Sequence, residues 1–173
     1  MAGTKEDTVA AKVLVAYASK HGTTREVAEA VAATLRELGL LVEVVEAAQV
    51  RDVARYDAIV VGAGLYMGKW HADARHLLKR HRSELAAKPL AVFGMGPDSL
   101  EHAKVADSWK QLARSLEATP ELDPIAVAIF GGALKPENWP FLFKRLPAFD
   151  ARDWDAIRSW AEEVAPKLTP VAV

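Results

Sequence analysis

Five short, nearly unbroken apolar runs rich in β-branched residues constrain this chain more than any other feature: KVLVAYA (12–18), LLVEVVE (40–46), DAIVVGA (57–63), KPLAVFG (88–94) and DPIAVAIFG (123–131). A strand with one wet face alternates polar and apolar residues, whereas a continuous run suits a strand covered on both faces. Helical stripes separate the runs. Val27, Val31, Leu35 and Leu38 share one face, as do Val105, Trp109, Leu112 and Leu116, and then Trp154, Ile157, Ala161, Val164 and Leu168. Residues 71–85 read as one more helix, with Ala74, Leu77, Leu78 and Leu85 inward and Arg75, Lys79, Arg80 and Arg82 on a basic, solvated face. Strands alternating with helices across short turns predict an α/β fold, a doubly wound parallel sheet with right-handed crossovers and helices on both sides.

Only GGALKPENWPFLFKRLPAFDAR (131–152) breaks this rhythm, being too long and too aromatic for a plain turn. The 173 residues, 51% hydrophobic and 26% charged, suit one soluble domain with a sizeable core. We read residues 12–173 as that single domain, after a flexible leader over 1–11. Cysteine is absent, which excludes disulfides, thiolate metal sites and thiol nucleophiles together. The histidines show no metal-ligand spacing, so no metal is assigned. No run approaches the roughly 18 apolar residues of a membrane span, and the start lacks a signal-peptide core, so the expectation is a cytoplasmic protein. A formal net charge of −1 is too balanced for a nucleic acid partner.

In open α/β sheets ligands bind beyond the carboxyl ends of the strands, which points to the loops 19–24, 63–70, 94–99 and 131–135. The first such turn holds Ser19, Lys20, His21, Gly22, Thr23 and Thr24, whose hydroxyls, with the free N–H groups of a helix start, make an anion cradle. Thr23 and Glu26 also fit a capping box, which would explain the threonine without a ligand. No Lys follows Gly22 as a P-loop requires, and a single glycine there does not make a dinucleotide fingerprint. Gly62, Gly64 and Gly68 after the third run are one residue out of register for that fingerprint. The turns AGLYMGKWH (63–71) and GMGPDS (94–99) combine glycines with Tyr66, Met67, Trp70 and Met95, suited to the edges and faces of a planar heterocycle. Packing of Tyr66 and Trp70 on neighbouring loops is the alternative, and Asp98 and Ser99 read as caps of the next helix.

These residues resemble the flavodoxin-like family, whose phosphate loop reads Thr or Ser, x, Thr, Gly, x, Thr. Ser19, Gly22 and Thr24 match, while His21 replaces the usual short polar residue. The resemblance implies a three-layer α/β/α fold with five parallel strands in the order 2-1-3-4-5, and flavin mononucleotide (FMN) as cofactor. Its phosphate would lie on residues 19–24. Its ring would lie among Ala63, Gly64, Leu65, Tyr66, Met67, Gly68 and Trp70 on one side and Gly94, Met95, Gly96 and Pro97 on the other. A peptide near Gly64 to Gly68 is implied to reorient when the ring is reduced.

VVGAGLYMGKWH and AIFGGALKP are more similar to the menaquinone-dependent protoporphyrinogen oxidase branch than to the strongly acidic shuttling flavodoxins. That implies an oxidoreductase passing electrons from an organic donor, such as protoporphyrinogen IX, to a quinone, with no catalytic side chain beyond the flavin environment. The aromatic stretch 139–149, with Trp139, Phe141, Leu142, Phe143, Lys144, Arg145 and Leu146, would then be a substrate, quinone or peripheral membrane surface, although it is shorter than in that branch. Two other readings stay open: a flavin-binding electron-transfer or interaction module without turnover of its own, and a fold that has lost its cofactor.

Overall fold

The computed structural model describes residues 9–170 except Trp139 and Lys144, with Asn138 and Phe143 described by their backbone alone. Most of the expected leader, the expected surface roles of Trp139 and Lys144, and the side chain of Phe143 therefore lie outside the described residues.

The first apolar run forms β1 (Lys12–Ala18), and successive side chains go to opposite layers. Val13 and Val15 enter one core cluster, Leu14, Ala16 and Ala18 the other. After α1 (Thr23–Glu37) come β2 (Leu41–Glu46), a single 3-10 turn at Ala47–Gln49, and β3 (Ala58–Tyr66). A short β4 (Lys69–Trp70), α2 (Ala72–Arg80), α3 (Arg82–Leu85), β5 (Leu90–Met95), α4 (His102–Leu116) and β6 (Ala126–Phe130) follow. The chain closes with β7 (Ala133–Leu134), β8 (Phe149–Asp150) and α5 (Trp154–Leu168).

The main sheet runs β2-β1-β3-β5-β6, with every neighbouring pair parallel. With the two-residue β4 set aside as a hairpin arm on β3, this is the expected order 2-1-3-4-5. Helices α1 and α5 cover one face, contributing Val27, Val31, Leu35, Ile157, Ala161, Val164 and Leu168. The other face is covered by α2, α3 and α4 through Ala74, Leu77, Leu78, Leu85 and Leu112. β2 lies at the sheet edge, where Leu41 is exposed and the other residues are only part-buried.

Several expected details differ. The helix over 71–85 divides at His81, whose φ of −107° and ψ of 19° leave the helical region, and the buried ring sits at the junction. Leu38 falls just past the last turn of α1 and is exposed, because Gly39 at φ 91° turns the chain there. Trp109 faces outward, and Trp154 lies 4.8 Å from the Arg152 guanidinium instead of in the core. The segment 131–152 is a two-stranded antiparallel ribbon of β7 and β8 closing an excursion that includes two 3-10 turns.

Gly62 has a packing role. It pairs in register with Phe93, and a Cβ built on it would fall 1.9 Å from Phe93 Cζ. That close approach lets the Phe93 ring reach Phe130 at 5.4 Å and Trp160 at 5.8 Å, forming a three-ring cluster under α5. Gly62→Ala should lower stability by about 1–3 kcal/mol through overpacking. Chemical denaturation should show a reduced midpoint with an unchanged slope.

Candidate cofactor site

Register sets the height at which each loop leaves the sheet. Ala18 pairs with Ala63, Ala63 with Gly94, and Gly94 with Ile129, so β1, β5 and β6 end almost level, while β3 runs three residues further into its hairpin, and all four loops leave at one end of the sheet. In the first loop the Gly22 N–H donates to Ser19 Oγ at 2.9 Å, folding the polar run into a tight turn. Gly22, at φ 85°, stands at the N-cap of α1, and no side chain caps that terminus. Nothing lies within 4 Å of a Cβ built on Gly22, so its left-handed backbone, not crowding, is what requires glycine. The capping box expected from Thr23 and Glu26 is not formed. The Glu26 carboxylate turns instead to Arg152 and to Lys135 Nζ, at 3.0 and 3.2 Å from the latter. The first-turn N–H groups of α1, which an α-helix cannot satisfy internally, thus have no side-chain cap.

A cavity of about 210 Å³ opens above this turn, lined by His21, Thr23, Thr24, Gly64, Leu65, Tyr66, Met95 and Gly96. Gly132, Ala133, Leu134 and Phe149 complete its wall, and these four were not among the site residues expected from sequence. The glycine pair at the end of β6 was the available signal for them. A second cavity of about 280 Å³, lined by Met67, Gly68, Pro97 and polar residues of α4, shares Leu65 and Gly96 with the first. Together they give a trench running from the anion cradle across the ends of β3 and β5, a shape that suits a phosphate joined to a flat ring.

The remaining expected site residues divide. Ala63 and Gly94 lie one step below the trench, within the sheet. Met67 and Gly68, at φ 49° and 79°, form the two-residue tip of the β3–β4 hairpin, and the Met67 side chain is fully exposed. Trp70 is a correction. Its ring is only 1% exposed, and its indole N–H donates to the carbonyls of Ala63 at 3.1 Å and Phe93 at 3.2 Å. The hairpin carries it into the α2–α4 core, so it lines neither cavity. Asp98 and Ser99 do not cap α4: Asp98 pairs with Lys104, and Ser99 Oγ is buried with no partner among the described residues.

Tyr66 bridges the first and second loops. Its phenol end covers Gly64, where a Cβ would meet Cε2 at 2.5 Å, and the Lys20 ammonium lies 4.8 Å from its ring centre. Burial raises the Tyr66 pKa, partly offset by the Lys20 backbone N–H, so the phenol stays neutral. Burial, and then the Lys20 charge, lowers the pKa of His21. His71 is likewise lowered, mainly by burial, and its Nδ1 accepts the Asp73 N–H at 3.1 Å, capping α2 as a neutral ring. The lowered pKa of His21 favours its neutral, hydrogen-bonding form near neutral pH.

Residues 14–146 match the family described as "Flavodoxin domain". The chain belongs to the flavodoxin family, and FMN is its cofactor. Over 89% of its length it is 25% identical to the protoporphyrinogen IX dehydrogenase [quinone] of Escherichia coli (strain K12), covering 94% of that protein. A Leishmania major protein of the same name is 25% identical over 94% of this chain and 77% of its own. Among solved structures, oxidised flavodoxin 2 from Bacillus cereus is similar with a TM-score of 0.62 and 25% identity, over 91% of this chain and 99% of that one.

Two outcomes follow from this geometry. Trp70→Phe should cost about 1–3 kcal/mol, because two buried carbonyls lose the indole N–H, while FMN affinity measured by flavin fluorescence stays near that of the parent. The carboxyls of Glu26 and Asp150 titrate below their ordinary range, each held down chiefly by hydrogen bonding to Arg152. Their folded pKa values lie below the unfolded ones, so their contribution is complete above the ordinary carboxylate range and is lost as pH falls through the lowered values. Thermal melts at decreasing pH should show a shallower acid decline for Glu26→Gln than for the parent.

Proposed function

We propose that this FMN-binding protein is an oxidoreductase that passes electrons from an organic donor of the porphyrinogen class to a quinone. The observation that carries this reading is the near full-length similarity to the Escherichia coli protoporphyrinogen IX dehydrogenase, which spans 89% of this chain and 94% of that protein. The formal net charge of −1 supports it, since docking on a basic reductase favours a strongly acidic surface.

In this reading Ser19, Lys20, His21, Gly22, Thr23 and Thr24 hold the phosphate. The loops Gly64–Gly68 and Met95–Pro97, with Ala63 and Gly94 one step below them, would hold the ring. The bound flavin supplies the redox chemistry, accepting electrons from the donor and returning them to the acceptor. The chain's own residues bind and orient. Lys20 offsets phosphate charge, the α1 terminus supplies backbone N–H groups, and Leu65, Tyr66 and Met95 exclude water from the trench.

Beside the trench, the excursion between β7 and β8 carries Phe141 and Leu142, each 84% exposed, together with Leu146 and the exposed Arg145. We assign this apolar tip to the approach of a lipid-borne quinone.

The similarity to shuttling flavodoxins favours a second reading, a flavin module without turnover of its own. One experiment separates the two. The purified protein should be yellow, its visible spectrum should bleach anaerobically with protoporphyrinogen IX, and the colour should return with a menaquinone analogue. Flavin that is bound but indifferent to both reagents supports the second reading. Gly22→Val should weaken FMN uptake by about tenfold, given the cost of roughly 1–2 kcal/mol for holding a β-branched residue in the left-handed region. Uptake equal to the parent's would place the phosphate elsewhere.

A further inference from the structure

Glu26 poses an electrostatic problem. It lies in the first turn of α1, where its carboxylate suits the helix dipole but opposes a dianion on the same terminus. The structure places two cations on it, both from the far end of the chain. Lys135 Nζ donates to Glu26 Oε1 at 3.0 Å, and Arg152 Nη1 donates to Glu26 Oε2 and, at 3.3 Å, to the carbonyl of Thr23 in the cradle itself. The Arg152 side chain is only 3% exposed, unusual burial for a guanidinium. Asp150 fixes its other edge, through Nε at 2.9 Å and Nη2 at 2.7 Å. With Lys135 and Arg152 against Glu26 and Asp150, the cluster is neutral in sum, and it turns net negative if the guanidinium is removed.

The cluster also adjoins the cavity wall. Leu134 and Phe149 pair in register between β7 and β8 and line the cavity, and the next residue along from each is Lys135 and Asp150 respectively.

We propose that Arg152 is a specificity-determining positioning residue: by neutralising Glu26 at the α1 terminus, it lets the cradle accept a phosphorylated flavin in preference to an unphosphorylated one. The proposal rests on the phosphate lying at residues 19–24. A purely structural guanidinium would support both flavins equally, because Leu134 and Phe149 wall the same cavity for either. A charge-compensating one acts on the phosphate alone.

The test is titration of the apo-protein with FMN and with riboflavin, followed by flavin fluorescence, for the parent, Arg152→Met, Arg152→Lys, Glu26→Gln and the Arg152→Met/Glu26→Gln double variant. Circular dichroism checks that each is folded. Arg152→Met should lose about tenfold in FMN affinity and less than about twofold for riboflavin, the scale of one uncompensated charge near a dianion. Adding Glu26→Gln should restore most of the preference, since the offending carboxylate is gone. Arg152→Lys, which keeps the charge but not the forked hydrogen bonds, and Glu26→Gln alone should both retain it; Lys135→Met, which strips the same carboxylate of its other cation, should lower the FMN preference, and an unchanged preference there overturns the proposal should Arg152→Met not fold.

Equal weakening of both flavins in Arg152→Met, no recovery in the double variant, or loss of the preference in Glu26→Gln alone overturns the proposal. Gly22→Val, titrated alongside, separates the two levels of the reading. If it keeps the parent's preference, the phosphate placement fails and the proposal fails with it. If it loses the preference while Arg152→Met keeps it, only the role of Arg152 fails.

Discussion

Parallel pairing in a fixed register is the constraint on which the rest of this molecule depends. Each β-to-α connection must leave from the same edge of the sheet, because a parallel strand can be reached only by a crossover that returns the chain to the opposite edge. The alignment of Ala18, Ala63, Gly94 and Ile129 then brings the polar turn, the glycine-rich loop and the start of the closing ribbon to one end of the sheet, with the β3–β4 hairpin reaching beyond them. No residue in those turns need be selected for proximity to another; the hydrogen-bond ladder beneath supplies it. A slip of two residues in any pair would keep the hydrophobic pattern and ruin the trench.

The frame was legible in the sequence because buried strands have a strong signature. β1 begins and ends where its apolar run does, and the other main strands fall within three residues of theirs. What could not be read was which way an aromatic residue near a glycine points. Trp70 shares its turn with Tyr66 and has similar chemistry, yet β4 folds back antiparallel on β3 and delivers the indole to two buried carbonyls, while the phenol stays over Gly64. Glu26 misled for a different reason. Its spacing from Thr23 satisfies a local rule, but its partner is Arg152, 126 residues away, and a buried guanidinium outcompetes one backbone N–H. Phe149 was missed because its pairing with Leu134 joins positions fifteen apart across an irregular excursion with no periodic pattern to follow.

The glycines after β3 show how one sequence feature can serve separate ends. Gly62 makes room for the Phe93 ring within the core, Gly64 lies beneath Tyr66, and Gly68 takes the second left-handed position of a hairpin turn. Their spacing imitates a nucleotide-binding fingerprint because each meets a different steric demand along one strand and its turn. Met67 bears the remaining strain, a non-glycine residue in the left-handed region whose side chain gains no burial in return.

The ribbon that walls the trench is held by contacts between distant parts of the sequence. The cradle occupies the first sixth of the chain, whereas Lys135, Phe149 and Arg152 belong to its last quarter. The contacts that join the two, Glu26 to Lys135 and to Arg152, span 109 and 126 residues, and closures of such long range form slowly because their loop entropy must be overcome first. Because the ribbon is a two-stranded sheet of its own, it can come away from α1 and open that wall of the cavity while the main ladder stays paired.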